Sequence, residues 1–248
     1  MIASIFALSL SVTGCSAPQA VLSEAKVVGR ATLPGSEQVQ YCEYFLPGED
    51  NWRVLYFSPN GRKIAEKRVE SPGGQGTLPA SSRPNVAQED FRLGEIREAV
   101  KQQDQWLLRY RPKQDARLQE KRVAANKVDV VDAGFDAFVR SNYSALAQGQ
   151  TLDFGFASPL HGRVITLRAR RAPCVSSGPD LCIDVELSSG FLRWLAGGKI
   201  YLEYGAPTEP TASGQSAEPP RLLRFSGTGN LLNDSGKSQN LDIRYFYP

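Results

Sequence analysis

Apolar and polar side chains alternate along this chain with a period of two, and Gly, Pro and Asn repeatedly break the pattern. That leaves little choice but antiparallel sheet. Leu181, Ile183, Val185 and Leu187 share one face of a predicted strand, and Cys182, Asp184 and Glu186 share the other. Leu241, Ile243, Tyr245 and Tyr247 repeat the pattern near the end. A pleated strand sends alternate side chains to opposite faces, so one apolar and one polar face mark a sheet covered on one side. The same reading predicts strands at 39–46, 52–57, 62–69, 91–102, 105–111, 151–156, 163–171, 199–204 and 222–226. Ser58-Pro59-Asn60-Gly61 specifies a hairpin, because Pro presets φ and Asn-Gly accepts positive φ.

One segment has the other period. Phe135, Phe138, Val139, Asn142, Tyr143 and Leu146 recur at helical spacing and predict a helix over 134–148. Asp132 is its candidate N-cap, Asp136 suits the helix dipole, and Gly149 suits the C-terminal cap. A short helical turn is expected at 189–198, with Ser189 as cap. Segments 71–88 and 206–220, rich in Gly, Pro and Ser, read as long loops. About ten strands cannot stay flat side by side, because twist accumulates from strand to strand. The expected fold is mainly β (β-rich α+β): one domain over 21–248, a large curved antiparallel sheet or half-barrel covered by the helix near 134–148.

The chain carries a net charge of +3 with 41% hydrophobic and 22% charged residues, and no run of like charge. A globular core is therefore available, and nucleic-acid binding has no support. Before the domain, an apolar run over 2–12 leads into Val12-Thr13-Gly14-Cys15 and then the polar Ser16-Ala17-Pro18. The run has the length of a signal-peptide core and is too short to span a bilayer.

Val12-Thr13-Gly14-Cys15 resembles the lipobox of bacterial lipoproteins. That resemblance implies a signal peptide over 1–14, cleavage before Cys15, and lipid on its thiol and on the new amino terminus. Residues 15–20 would then form a tether. Members with Asp after the lipidated Cys stay at the inner membrane, so Ser16 implies the outer membrane, facing the periplasm. With its predicted curved sheet the chain also loosely resembles half-barrel carriers and lipoproteins of the LolA/LolB type, and proteobacterial lipoproteins of that layout. This second likeness is architectural only.

Cys174 and Cys182 flank a turn-rich segment and form a candidate disulfide in an oxidising compartment. Cys42 reads as a buried, unpaired thiol in a strand. With a single His and no C-x-x-C pair, no metal or other cofactor is expected. His161, in Ser158-Pro159-Leu160-His161-Gly162, reads as a turn residue rather than a general base, and no G-x-S-x-G elbow occurs. Asp129 with Asp132 lies beside the helix start, and Asp184 with Glu186 lies on a wet strand face. No phosphate-binding or dinucleotide loop is present, so the expectation is no enzyme.

Arg168 and Arg170 share a strand face and, with Arg109 and Arg111, form a candidate patch for lipid phosphates or an acidic partner. The alternative is an ordinary solvated outer face. Two functions remain in view. In one, an envelope protein binds a lipid or other hydrophobic ligand beneath its curved sheet. In the other, a non-enzymatic scaffold or assembly factor binds another envelope protein through the 71–88 and 206–220 loops or an open sheet edge. An apolar inner surface left unfilled favours the first; a filled core with an exposed apolar patch favours the second.

Overall fold

The computed structural model describes residues 12–49, 51–71, 80–188, 199–208 and 218–248. The leader run over 1–11, the stretches 72–79 and 209–217 of the two predicted loops, and the helical turn expected at 189–198 lie outside the described residues, whereas 85–88 of the first predicted loop belongs to a strand.

Among the described residues, fifteen strands form a single sheet. They are β1 (Val27–Thr32), β2 (Val39–Pro47), β3 (Asn51–Phe57), β4 (Lys63–Glu70), β5 (Asn85–Asp90), β6 (Glu95–Gln102), β7 (Gln105–Arg111) and β8 (Gln119–Ala124), then β9 (Val130–Val131), β10 (Leu152–Ser158), β11 (Arg163–Arg171), β12 (Leu181–Leu187), β13 (Ile200–Tyr204), β14 (Leu222–Thr228) and β15 (Asn240–Phe246). β1 lies in the middle. β2 to β8 run in order to one edge, and β15 back to β9 run to the other. Every neighbouring pair is antiparallel except β9 with β10. The sheet is large, curved and open, as the alternation predicts.

The two edge strands, β8 and β9, are consecutive in the chain, so the short link at 125–129 bends the edges towards each other. Asp129 clamps that link to β10. Its backbone N–H donates to the Gly155 carbonyl oxygen at 2.8 Å, and its carboxylate accepts from the Gly155 N–H at 2.7 Å. A Cβ on Gly155 would lie 2.0 Å from the Lys127 carbonyl oxygen, so only glycine permits this approach.

Among the described residues, three short α-helices accompany the sheet: α1 (Gln19–Glu24), α2 (Gly134–Ser141) and α3 (Tyr143–Ala147). The single helix expected over 134–148 is broken at Asn142, whose side-chain amide donates to the Phe138 carbonyl oxygen at 2.8 Å and ends the first segment. Asp132 does not cap it. The N-cap position falls on Ala133, with no side-chain cap bond.

Other expectations also need correcting. The strand expected over 91–102 starts only at Glu95, because Asp90 accepts from the Arg92 N–H and Gly94 takes φ +68° in a turn. The supposedly wet face of β12 is buried: Asp184 and Glu186 lie beneath Arg170 and Lys199. On the outer face of β1–β3, Val28, Cys42, Tyr44, Leu55 and Phe57 form an apolar cluster covered by Val12, Cys15, Ala17, Val21 and Leu22.

Candidate functional site

The helices enter the concave side of the sheet. Phe138 packs against Phe154 in a tilted pair with ring centroids 4.6 Å apart, and Val139 and Leu146 are buried against Ala169, Ile183, Val185 and Leu202. This packing fills part of the concavity over β10–β13. Between α2 and the sheet a cavity of about 820 Å³ stays open. Val27, Phe45, Trp52, Val54, Val69, Val86 and Ala99 line one side of it, and Phe135, Phe156, Ile165, Leu167, Ile200 and Phe225 line the other.

Glu43 lies on the cavity wall at 1% exposure. Cross-strand register places Tyr245, Gly29, Glu43, Tyr56 and Ala65 in one row across five strands. Gly29 is what makes room. A Cβ there would lie 2.5 Å from Cγ of Glu43, so the missing side chain lets Glu43 lie across β1 towards Tyr245 of β15. Its Oε1 has no hydrogen-bond partner. Two edge-to-face aromatic pairs flank it, Tyr41 with Tyr56 and Phe45 with Tyr245. Burial pushes the carboxyl up to about 7, against the lowering effect of the Tyr245 hydrogen bond and the Lys67 charge.

Lys67 lies on the same inner face of β4 as Ala65 and Val69, is 2% exposed, and forms an ion pair with Asp132. Asp132 holds φ +40°, a conformation that a non-glycine residue rarely adopts, and its carboxylate reaches into the cavity wall. Farther round, Arg97 donates to the buried Glu95 at 2.7 Å. Asp136 accepts from Arg140 at 2.8 Å and from the Tyr204 hydroxyl at 3.1 Å. The cavity is thus apolar over most of its wall, with a few convergent polar groups.

Ser158 and His161 also line it, and the serine Oγ lies 2.8 Å from Nδ1 of the ring. The pair belongs to the β10–β11 turn, where the His161 N–H donates to the Ser158 carbonyl oxygen. Burial and the charges of Arg163 and Arg97 lower the imidazole pKa. A hydrolytic triad needs an acid to orient the ring, whereas the charges acting on this ring are cationic.

The four arginines of the candidate patch lie on the outer face, each with an acceptor. Arg109 pairs with Glu98 and Glu120, Arg168 makes a two-pronged bond to Asp153, and Arg170 faces Asp184 and Glu186. Arg111 donates to the Gly94 carbonyl oxygen. Acids on neighbouring strands thus offset the charges of Arg109, Arg168 and Arg170. Cys174 is bridged to Cys182, and Cys15 to Cys42. Cys42 is therefore not the unpaired thiol expected of it. A bridged Cys15 sulfur also has no valence left for the lipid thioether that the lipobox resemblance implies.

Sequence reasoning missed Glu43 and Lys67. Signals existed for both: Glu43 is the one acid in the apolar run Tyr41–Leu46, and parity with Ala65 and Val69 sends Lys67 inward. No protein-family model matches this chain, and no curated protein or solved structure matches it either.

Proposed function

We propose that the protein binds a lipid or other hydrophobic ligand in the cavity between α2 and the sheet, and that it works in the bacterial cell envelope. The cavity carries the reading. Its volume of about 820 Å³ lies within the ~300–1,000 Å³ usual for small-molecule sites, and its wall is mostly apolar side chains. A core meant only for stability would be closed at crystal-like density. Export is supported by the lipobox resemblance and, independently of Cys15, by the Cys174–Cys182 disulfide, which needs an oxidising compartment.

Extraction and mass spectrometry of the purified protein is the direct test. A hydrophobic molecule should co-purify near stoichiometrically, and Ile165→Trp or Ile200→Trp, which crowd the cavity wall, should lower its occupancy at least about tenfold. Repeatedly empty wild-type protein would count against the reading.

The outer-membrane tether through Cys15 and the Cys15–Cys42 bridge are alternative fates of one sulfur. Because folding buries Cys42, alkylation of the denatured but unreduced protein, with intact-mass measurement, should therefore find two exclusive classes of chain. Lipid-bearing chains should expose Cys42 to alkylation without reductant, and lipid-free chains should expose no thiol until reduced. Lipid-bearing chains with a blocked Cys42 would refute this pairing.

A further inference from the structure

We infer that the ligand of this cavity carries a protonated amine, seated against Glu43 and the aromatic rings beside it. The inference rests on the cavity being a ligand site and adds the chemical class of the ligand's polar end.

Glu43 is 1% exposed, lines the cavity, and leaves Oε1 without a hydrogen-bond partner. A buried acceptor left open in this way costs free energy unless something fills it. The other acids on the inner wall near it are already matched, Asp132 by Lys67 and Asp136 by Arg140. Phe45, Tyr56 and Tyr245 share the wall with Glu43. Ring faces attract a cation and repel an anion, and their attraction grows in a site shielded from water.

Counting charge points the same way. Ionised Glu43, Lys67 and Asp132 sum to one negative charge. An ammonium group brings the cluster to neutrality, whereas a carboxylate would double the imbalance in a poorly solvated place. Lys67 would be the natural partner of an anionic head, but it is already held by Asp132.

The groups facing Glu43 from its surroundings are Tyr41 on its own strand, Tyr56 on β3, Lys67 on β4, Asp132 before α2 and Tyr245 on β15. Burial raises the three tyrosines well above their ordinary values, so they stay neutral around pH 7. The carboxyl of Glu43, up at about 7, is the group that titrates there. Below pH 7 an arriving ammonium meets a protonated carboxyl. The new ion pair forms as the Glu43 O–H bond breaks and its proton leaves to solvent; well above pH 7 no proton is released.

The test uses decylammonium, decanol and decanoate below their micelle-forming concentrations, with calorimetry on the disulfide-intact protein. Decylammonium should bind at least about tenfold tighter than the other two. Because only the ionised fraction of Glu43 is competent, its affinity should rise about tenfold from pH 6 to pH 8. Heats in buffers of different ionisation enthalpy should show a proton released at pH 6 and none at pH 8. In Glu43→Gln the amine's advantage over the alcohol should vanish. If decanol or decanoate binds as tightly as the amine, or wild-type affinity is flat with pH, the amine assignment fails while the hydrophobic-ligand reading stands. If none of the three binds, both fall.

Discussion

Asp132→Asn should destabilise the protein by about 3 kcal/mol, because it leaves the Lys67 ammonium buried without its counter-ion. Lys67 is 2% exposed and Asp132 is 25% exposed, so the lysine is the partner that water cannot rescue. Asn is the right replacement because Asp132 holds φ +40°, which Asn tolerates better than Ala. In a chain of this size the loss corresponds to a fall in Tm of roughly 6–12 °C. Chemical denaturation at pH 7 would measure it. Lys67→Met combined with Asp132→Asn should be milder than Asp132→Asn alone, since the stranded charge is then gone. The combination with Glu43→Gln should be worse than additive, because Glu43 is the nearby acid that would otherwise ionise to face Lys67. Equal losses for Asp132→Asn and the Lys67→Met double variant would show that the pair carries no buried charge of consequence.

The fold was legible wherever alternation met one covered face. β12, β15 and the β3–β4 hairpin follow from residue parity and from Pro59-Asn60-Gly61. β1 was hidden because Gly29 and Arg30 interrupt its apolar residues, and β5 because its first four residues, 85–88, fall in the Gly-, Pro- and Ser-rich segment read as a loop. β8, Gln119–Ala124, is polar and exposed along nearly its whole length because it is an edge strand. Its Glu120, Lys121 and Arg122 discourage edge-to-edge pairing and erase the apolar alternation that marks a strand. The cavity was legible only as an inward apolar surface. Whether helices fill such a surface depends on where they sit over it, and no single segment encodes that. The disulfides divide in the same way. Cys174 and Cys182 are close in sequence, whereas Cys15 meets Cys42 only because residues 12–24 fold back over the outer face of β1–β3.

Glu43→Gln should make the protein more stable at pH 8, by about 3 kcal/mol, and leave it nearly unchanged at pH 4.5. The sign follows from proton linkage. Burial raises the Glu43 carboxyl to about 7 in the folded chain, while the unfolded chain keeps an ordinary carboxyl. The folded state therefore holds this proton more tightly. The stability it contributes is full below the ordinary carboxylate value and is lost as pH rises towards 7. Each tenfold in proton affinity is about 1.4 kcal/mol, which sets the total at about 3. Gln mimics the protonated acid, so it keeps the low-pH stability at every pH. Glu66 titrates the other way. Its hydrogen bonds and charge contacts with Lys63 and Arg53 outweigh its burial and hold it at about 2, so its contribution is lost in acid, below the Glu43 window. Comparing wild type with Glu43→Gln at each pH cancels that background and isolates the single carboxyl. Denaturation midpoints from pH 4.5 to pH 8 should converge in acid and separate progressively towards pH 7. A constant gap would mean that Glu43 is ionised throughout, and a carboxylate ionised at pH 5 in this wall would need a cation already beside it.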